Sequence, residues 1–334
     1  MQIVDFENGV TEEGFRREHP DFPLQLGDLR FTLGELDQAD WLVASFYGKQ
    51  EIGTSVPVQR RILLMTEPGG YFPPDYVNQF GILVSPFNIP GFRGVWYQSH
   101  GAVANFFGIE FPSGGGIRTR YDYHAVMEFP IPETKSDMVS VVVSGKTQLP
   151  GHRKRLRFVR QLKEALGPKL EIYGRDFRHV PVKADAILPY KYHVALENTV
   201  MPLYWSEKIG DAWLGYAFPI VSGPPDLDRW FMPESFLSID IDRPNAAIDA
   251  IRRSVDEDVY AQRLDAILDS RQRLMLRERP CPVIARVIAA HPNAFPLLAT
   301  PEIIHPMPRP GLFRRVKREA SRAYWQVDEW FRSR

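Results

Sequence analysis

Residues 190–223 read YKYHVALENTVMPLYWSEKIGDAWLGYAFPIVSG, and this stretch decides the fold. Tyr190 to Leu196 is rich in β-branched, aromatic and aliphatic side chains, which predicts a strand, and the strand ends on the polar pair Glu197-Asn198. After a short loop interrupted by Pro202, the residues Ile209, Ala212, Trp213, Tyr216 and Ala217 recur at helical spacing, the apolar stripe of a helix packed on a sheet. Ser206 stands where a helix N-cap belongs. Phe218 to Val221 is a second buried strand, closed by the turn residues Ser222-Gly223-Pro224-Pro225. Strand, polar loop, helix and strand make a βαβ unit. In such units anionic ligands bind beyond the carboxyl end of the strand, where the next helix offers unbonded N–H groups and the positive end of its dipole. Glu197, Asn198, Tyr204, Glu207 and Lys208 all fall there. Taken singly, Glu207 and Lys208 are equally the charges of a solvated first helical turn.

As a whole the string resembles the donor-binding signature of the family 10 glycosyltransferases, the α-1,3/4-fucosyltransferases. The residues that carry the resemblance are Tyr190-Lys191-Tyr192, Glu197-Asn198-Thr199, Tyr204, Ser206-Glu207-Lys208, Pro219 and Gly223-Pro224. It implies a bacterial-type member of α/β class: two facing Rossmann-like domains of the GT-B type and a C-terminal helical tail. It also implies an inverting transferase that takes its sugar from GDP-fucose without a metal or other cofactor. On that pattern Ser144 and the Arg155 of Arg155-Leu156-Arg157-Phe158 hold the donor diphosphate, together with Lys208 and the helix start capped by Ser206. Glu207 lies near the sugar, Tyr204 and Asn198 fix nucleotide and sugar hydroxyls, and Glu197 and His193 complete the donor-binding set. In Thr66-Glu67-Pro68-Gly69-Gly70 a carboxylate follows an apolar strand, and the family's Glu-Pro element makes Glu67 the general base. An acceptor hydroxyl is a poor nucleophile and needs such a group to take its proton. The chain departs from the pattern at Gly145, His193, Leu196 and Trp205, which leaves two alternatives open: another GDP-linked sugar, or a catalytically silent nucleotide- or glycan-binding protein.

The rest of the chain fits two domains. The boundaries suggested by composition are 1–133 for an acceptor-side domain, 134–300 for the GDP-sugar domain, and 301–334 for a Pro-rich crossover and basic helix. Phe129 to Asp137 reads as the linker. In the first 60 residues only Trp41 to Phe46 reads as a strand, followed by Arg61 to Thr66, Gly81 to Ser85 and Gly94 to Tyr97. Met138 to Val143, Arg153 to Leu166 and Leu170 to Tyr173 form a second strand, helix and strand, and Ala246 to Leu276 is helical.

Lys+Arg and Asp+Glu balance at 41 each in 334 residues, so no global charge selects nucleic acid. The basic run His152 to Arg157 marks one helix start with no recognition module around it. A single cysteine, Cys281, excludes an internal disulfide and fits a reducing compartment. With no apolar run of ~18 residues, the expected setting is the cytoplasm. The strings Asp226-Leu227-Asp228 and Asp240-Ile241-Asp242 are short coincidences that follow the donor helix rather than a metal site. Gly311 to Arg334 carries seven Lys/Arg against three acidic residues with interspersed aromatics, which suits either docking on the protein or peripheral contact with an anionic membrane. The acceptor would then be a glycan of the lipid-linked or lipopolysaccharide kind.

Overall fold

The computed structural model of the chain describes residues 1–7, 12–45, 51–68, 72–102, 104–112, 116–291 and 302–306. The chain falls into two compact units, one of Met1–Glu12, Phe22–Gly101 and Ile284–Arg334, the other of Glu13–Asp21 and Ala102–Val283.

The first unit is built on β1 (Gln2–Glu7), β2 (Leu24–Leu26), β3 (Leu29–Leu33), β4 (Trp41–Ser45), β5 (Ile52–Thr54), β6 (Arg61–Leu64), β7 (Ile82–Ser85) and β8 (Val95–Gln98). Seven of these form one sheet in the order β2-β3-β1-β4-β6-β7-β8, parallel except at the β2–β3 edge. The apolar runs at Trp41, Arg61, Gly81 and Gly94 are four of its strands. β1 escapes the sequence reading because Asp5 interrupts its apolar pattern. Asp5 is buried nonetheless, and its Oδ1 accepts from Thr32 Oγ1 at 2.7 Å and from the Glu35 N–H at 3.0 Å.

The second unit takes in α1 (Glu12–Glu18) from its second residue onward, and its sheet comes later in the chain. After α2 (Pro74–Val77) of the first unit come β9 (Ile109–Glu110), β10 (Arg118–Thr119) and α3 (Tyr123–Glu128). Then β11 (Ser136–Val142), α4 (Pro150–Leu166), β12 (Leu170–Tyr173), β13 (Tyr190–Leu196), α5 (Glu207–Leu214), β14 (Phe218–Ser222) and β15 (Leu237–Ser238) alternate as expected of a doubly wound domain. The sheet is fully parallel in the order β12-β11-β13-β14-β15. The chain leaves β11 toward one edge and returns on its other side at β13, so the direction of winding reverses between these two strands. Ligands of such sheets bind at this switch point, beyond the carboxyl ends. Val139, Val141, Val194, Ile220, Trp213 and Leu162 meet in one core that also takes in Phe107 and Val126. Residues 102–133 therefore belong to this unit and not to the preceding one, and the Phe129 to Asp137 segment lies inside it: Lys135 Nζ donates to the Gly215 carbonyl at 2.6 Å.

α5 stops at Leu214, short of the predicted stripe. The N–H of Ala217 reaches back to the Ala212 carbonyl, and Tyr216 takes the left-handed conformation with φ 53°, so the helix ends in a Schellman turn with Tyr at the place usually held by Gly. The predicted Ala246 to Leu276 helix is three: α6 (Pro244–Asp256), α7 (Val259–Gln262) and α8 (Leu264–Arg277). α9 (Pro280–Ala290) leads back to the first unit, where β16 (Glu302–Ile304) pairs antiparallel with β5 and Glu302 meets buried Arg61 at 2.9 Å. Gly311 to Arg334 lies outside the described residues.

Candidate functional site

The carboxyl end of β13 is a closed ionic web. Glu197, 2% exposed, accepts from the Ser206 N–H at 2.8 Å and from Ser206 Oγ at 2.7 Å through one oxygen. Its other oxygen lies 3.4 Å from Lys208 Nζ. Ser206 caps α5 by accepting from the Lys208 N–H, and its Oγ also accepts from Lys208 Nζ at 2.8 Å. Lys208 Nζ sits 3.2 Å from Glu207 as well. Burial raises the Glu207 carboxyl, but Lys208, Lys183 and the hydrogen bonds from Lys208 and Ser206 outweigh it and hold the group below the usual carboxylate range. Glu207 is thus a fixed negative charge at the start of α5. Lys208 is held charged by Glu197 and Glu207 against burial.

On the α4 side several buried polar atoms are left without partners. Arg155 is buried and donates to the Leu196 carbonyl at 3.3 Å, while its Nε has no hydrogen-bond partner. Asn198 Oδ1 and His152 Nδ1 are buried without partners too. α4 begins at Pro150 with no side-chain cap, so its first N–H groups have no side-chain acceptor. The start of α4 is pressed onto the loop after β13: a Cβ on Gly151 would lie 2.0 Å from the Asn198 carbonyl oxygen. Buried polar groups are normally paired, and an orphaned Arg155 Nε–H beside Lys208 and an uncapped helix N-terminus fits an anion such as a diphosphate.

The structure brings together Arg155, Glu197, Asn198, Tyr204, Ser206, Glu207 and Lys208. Ser144 follows β11 at the same end of the sheet, half-buried. Beside it the Gly145 N–H donates to Asp176 Oδ2 at 2.8 Å, and a Cβ on Gly145 would meet that carboxylate at 2.7 Å, so Asp176 fills the space that a larger residue at 145 would need. His193 is not at the strand end. It is enclosed within β13, bonded through Nδ1 to Ser140 Oγ of β11 at 2.8 Å, and burial with Lys183 and Lys135 nearby lowers it to about 3. Trp205 packs against Phe231 at 5.3 Å between ring centroids.

Four residues that pattern reading passed over complete this end of the unit. Lys183 and Asp211 form a buried ion pair of 2.6 Å beneath α5, and Asp211 also accepts from the Phe106 N–H at 3.0 Å. Glu18 of α1 accepts from Asn105 N–H and Nδ2, and a cavity of about 10 Å³, room for one water, lies among Glu18, Asn105, Trp205, Glu207 and Arg279. Burial pushes Glu18 up to about 7, against the pull of Arg17 and Arg279. Gly151 acts by the close approach just described. These contacts join residues far apart in sequence, so only an unexplained Gly near a helix start could have hinted at one of them. A larger groove of about 260 Å³ along α4, lined by Lys154, Arg157, Gln161 and Asp242, shares none of the predicted site residues.

In the first unit, Glu67 follows β6 as an exposed side chain. The chain just before it is closely approached by Gly101: a Cβ there would stand 2.2 Å from the Met65 carbonyl oxygen. Among the described residues no group of three or more His, Cys, Asp or Glu side chains is arranged to hold a metal ion, and no helix is long and apolar enough to cross a membrane.

Residues 132–258 match the model of glycosyltransferase family 10 (fucosyltransferase), C-terminal part. The chain is 30% identical over 111 residues to a 4-galactosyl-N-acetylglucosaminide 3-alpha-L-fucosyltransferase, FUT6, of Gorilla gorilla gorilla, a match covering 32% of this chain and 30% of that one. It is 31% identical over 91 residues to the human 3-galactosyl-N-acetylglucosaminide 4-alpha-L-fucosyltransferase FUT3, covering 26% of this chain and 25% of the relative. The chain thus spans under a third of the length of these relatives. A solved alpha1,3-fucosyltransferase with GDP-fucose is similar over 82% of this chain and 88% of its own, at 16% identity and a TM-score of 0.48.

Proposed function

We propose that this chain, whose residues 132–258 match the family 10 glycosyltransferase C-terminal model, moves L-fucose from GDP-fucose to a hydroxyl of a glycan acceptor with inversion and without a metal. The observation that carries the reading is the pair of orphaned buried polar groups, Arg155 Nε and Asn198 Oδ1, at the switch point of a parallel sheet. A diphosphate supplies the acceptor oxygen that the Arg155 Nε–H lacks, and a sugar or nucleotide hydroxyl supplies the donor that Asn198 lacks.

In the proposed mechanism Glu67 accepts the proton of the acceptor hydroxyl as its oxygen attacks the anomeric carbon. The bond to the β-phosphate oxygen breaks, and negative charge collects on the departing GDP. Arg155, Lys208 and the α5 N-terminus stabilise that charge, which is the task a divalent metal performs elsewhere. Glu207 favours the positive charge that develops on the sugar ring. A single displacement inverts the anomeric centre and needs no enzyme nucleophile. We further propose a cytoplasmic, bacterial glycan-building role, with Gly311 to Arg334 on an anionic bilayer; equal co-sedimentation with anionic vesicles of the full chain and a chain ending at Met307 would exclude that contact.

Calorimetric titration with GDP, GDP-fucose, GDP-mannose and UDP-sugars in EDTA tests the core of the reading. GDP-fucose should bind, and acceptor screening should then give turnover. Preference for another GDP-sugar moves the donor assignment, binding without turnover points to a silent binder, and absence of all nucleotide binding overturns the transferase.

A further inference from the structure

His152 is a buried side chain of this region to which neither the motif nor the mechanism gives a task. It is the third residue of the 17-residue helix α4 and is 8% exposed. A buried histidine that serves only packing ordinarily spends its ring nitrogens on a carbonyl or hydroxyl, as His193 does on Ser140. His152 Nδ1 has no such partner. The neighbouring Gly151 backbone lies against the Asn198 carbonyl, which brings the first turn of α4 to the loop after β13. The charges that act on it with burial are positive: Arg155 and Arg153 from its own helix, Lys146 from the preceding loop and Lys208 from α5. The two nearby carboxylates, Glu197 and Glu207, are engaged by Lys208. With burial, these cations press the imidazole below its ordinary value and keep it neutral in the unliganded protein.

We propose that His152 is a further ligand of the donor diphosphate, neutral when the site is empty and protonated when the nucleotide is bound. The proposal rests on the donor-site reading above. The arriving diphosphate reverses the sign of the local field, so the imidazole takes a proton from solvent and presents an N–H at both ring nitrogens. On release of GDP the proton returns to water. Nucleotide binding is thereby coupled to uptake of a proton, a property that Arg155 and Lys208, charged throughout, cannot supply.

The test is GDP titration of the full chain in two buffers of different ionisation enthalpy, at about pH 8, where a phosphate with a second pKa of about 6 is already ionised. Wild type should take up a proton on binding. His152→Gln should bind GDP about tenfold more weakly with the uptake removed, and His152→Lys, charged at all times, should regain affinity without uptake. Equal affinity and equal uptake in wild type and His152→Gln overturn the proposal and leave the donor site standing. GDP binding by wild type without proton uptake also overturns it, whether or not either variant folds. No GDP binding by wild type removes both readings.

Discussion

The carboxyl ends of β6 and β13 each present a glutamate a short step beyond a buried parallel strand, yet the two are built in opposite ways. Glu197 and Glu207 are locked among Ser206, Lys208 and the α5 N-terminus before any ligand arrives. Glu67 is exposed, and the close passage of Gly101 is to Met65 and Thr66 before it. The difference suits the two tasks proposed for these ends. Charge stabilisation gains from dipoles and ions fixed in advance, because they need not reorganise as the bond breaks. A base that must meet a variable acceptor needs access first. Stability and activity should therefore separate between the two ends.

The largest expected effect is at the exposed end. Glu67→Gln should lower turnover by about 10²- to 10⁴-fold, the usual share of a general base, while GDP affinity and the urea midpoint stay at wild-type values. A variant that keeps full turnover sinks the assignment of Glu67. At the locked end the effect should fall on the fold: Glu197→Ala leaves the Ser206 N–H and part of Lys208 unpaired in a buried place, and should cost on the order of 3 kcal/mol in urea unfolding. A loss under about 0.5 kcal/mol would mean that the web is decoration.

Glu18 sharpens the contrast, since it is buried and its desolvation outweighs the pull of Arg17 and Arg279. Its carboxyl moves from 4.5 to about 7 on folding, so the folded chain holds the proton more tightly than the unfolded one. That contribution is complete below about pH 4.5 and is lost as the pH rises through 7. Glu18→Gln keeps the oxygen that accepts from Asn105 and cannot ionise. It should match wild type near pH 4.5 and exceed it by about 3 kcal/mol above pH 8, read from urea midpoints across that range; a constant difference would rule out the titration of Glu18 as its cause. The smallest effects should come from the two glycines. Gly151→Ala should cost about 1–3 kcal/mol through overpacking and weaken GDP binding, whereas Gly101→Ala should disturb stability by a similar amount with GDP binding intact. Equal GDP affinity in both variants would separate the Gly151 contact from the donor site.

The sequence by itself determined the βαβ units, the helix cap at Ser206 and the grouping of Glu197, Asn198, Tyr204, Glu207 and Lys208. These depend on period, propensity and spacing along one short stretch, and local physics sets them. It also located Arg155 and the buried face of α4 that carries Leu156, Val159, Leu162 and Leu166. Only the tertiary structure decided the strand order that makes the β11–β13 gap the switch point, the entry of residues 102–133 into the second unit, and the inward place of His193. It alone joined Lys183 to Asp211 and set His152 among four cations. Each of these depends on which strands and helices become neighbours, and nothing in the local spacing of residues 18, 105, 152 or 183 records the partner that burial gives them.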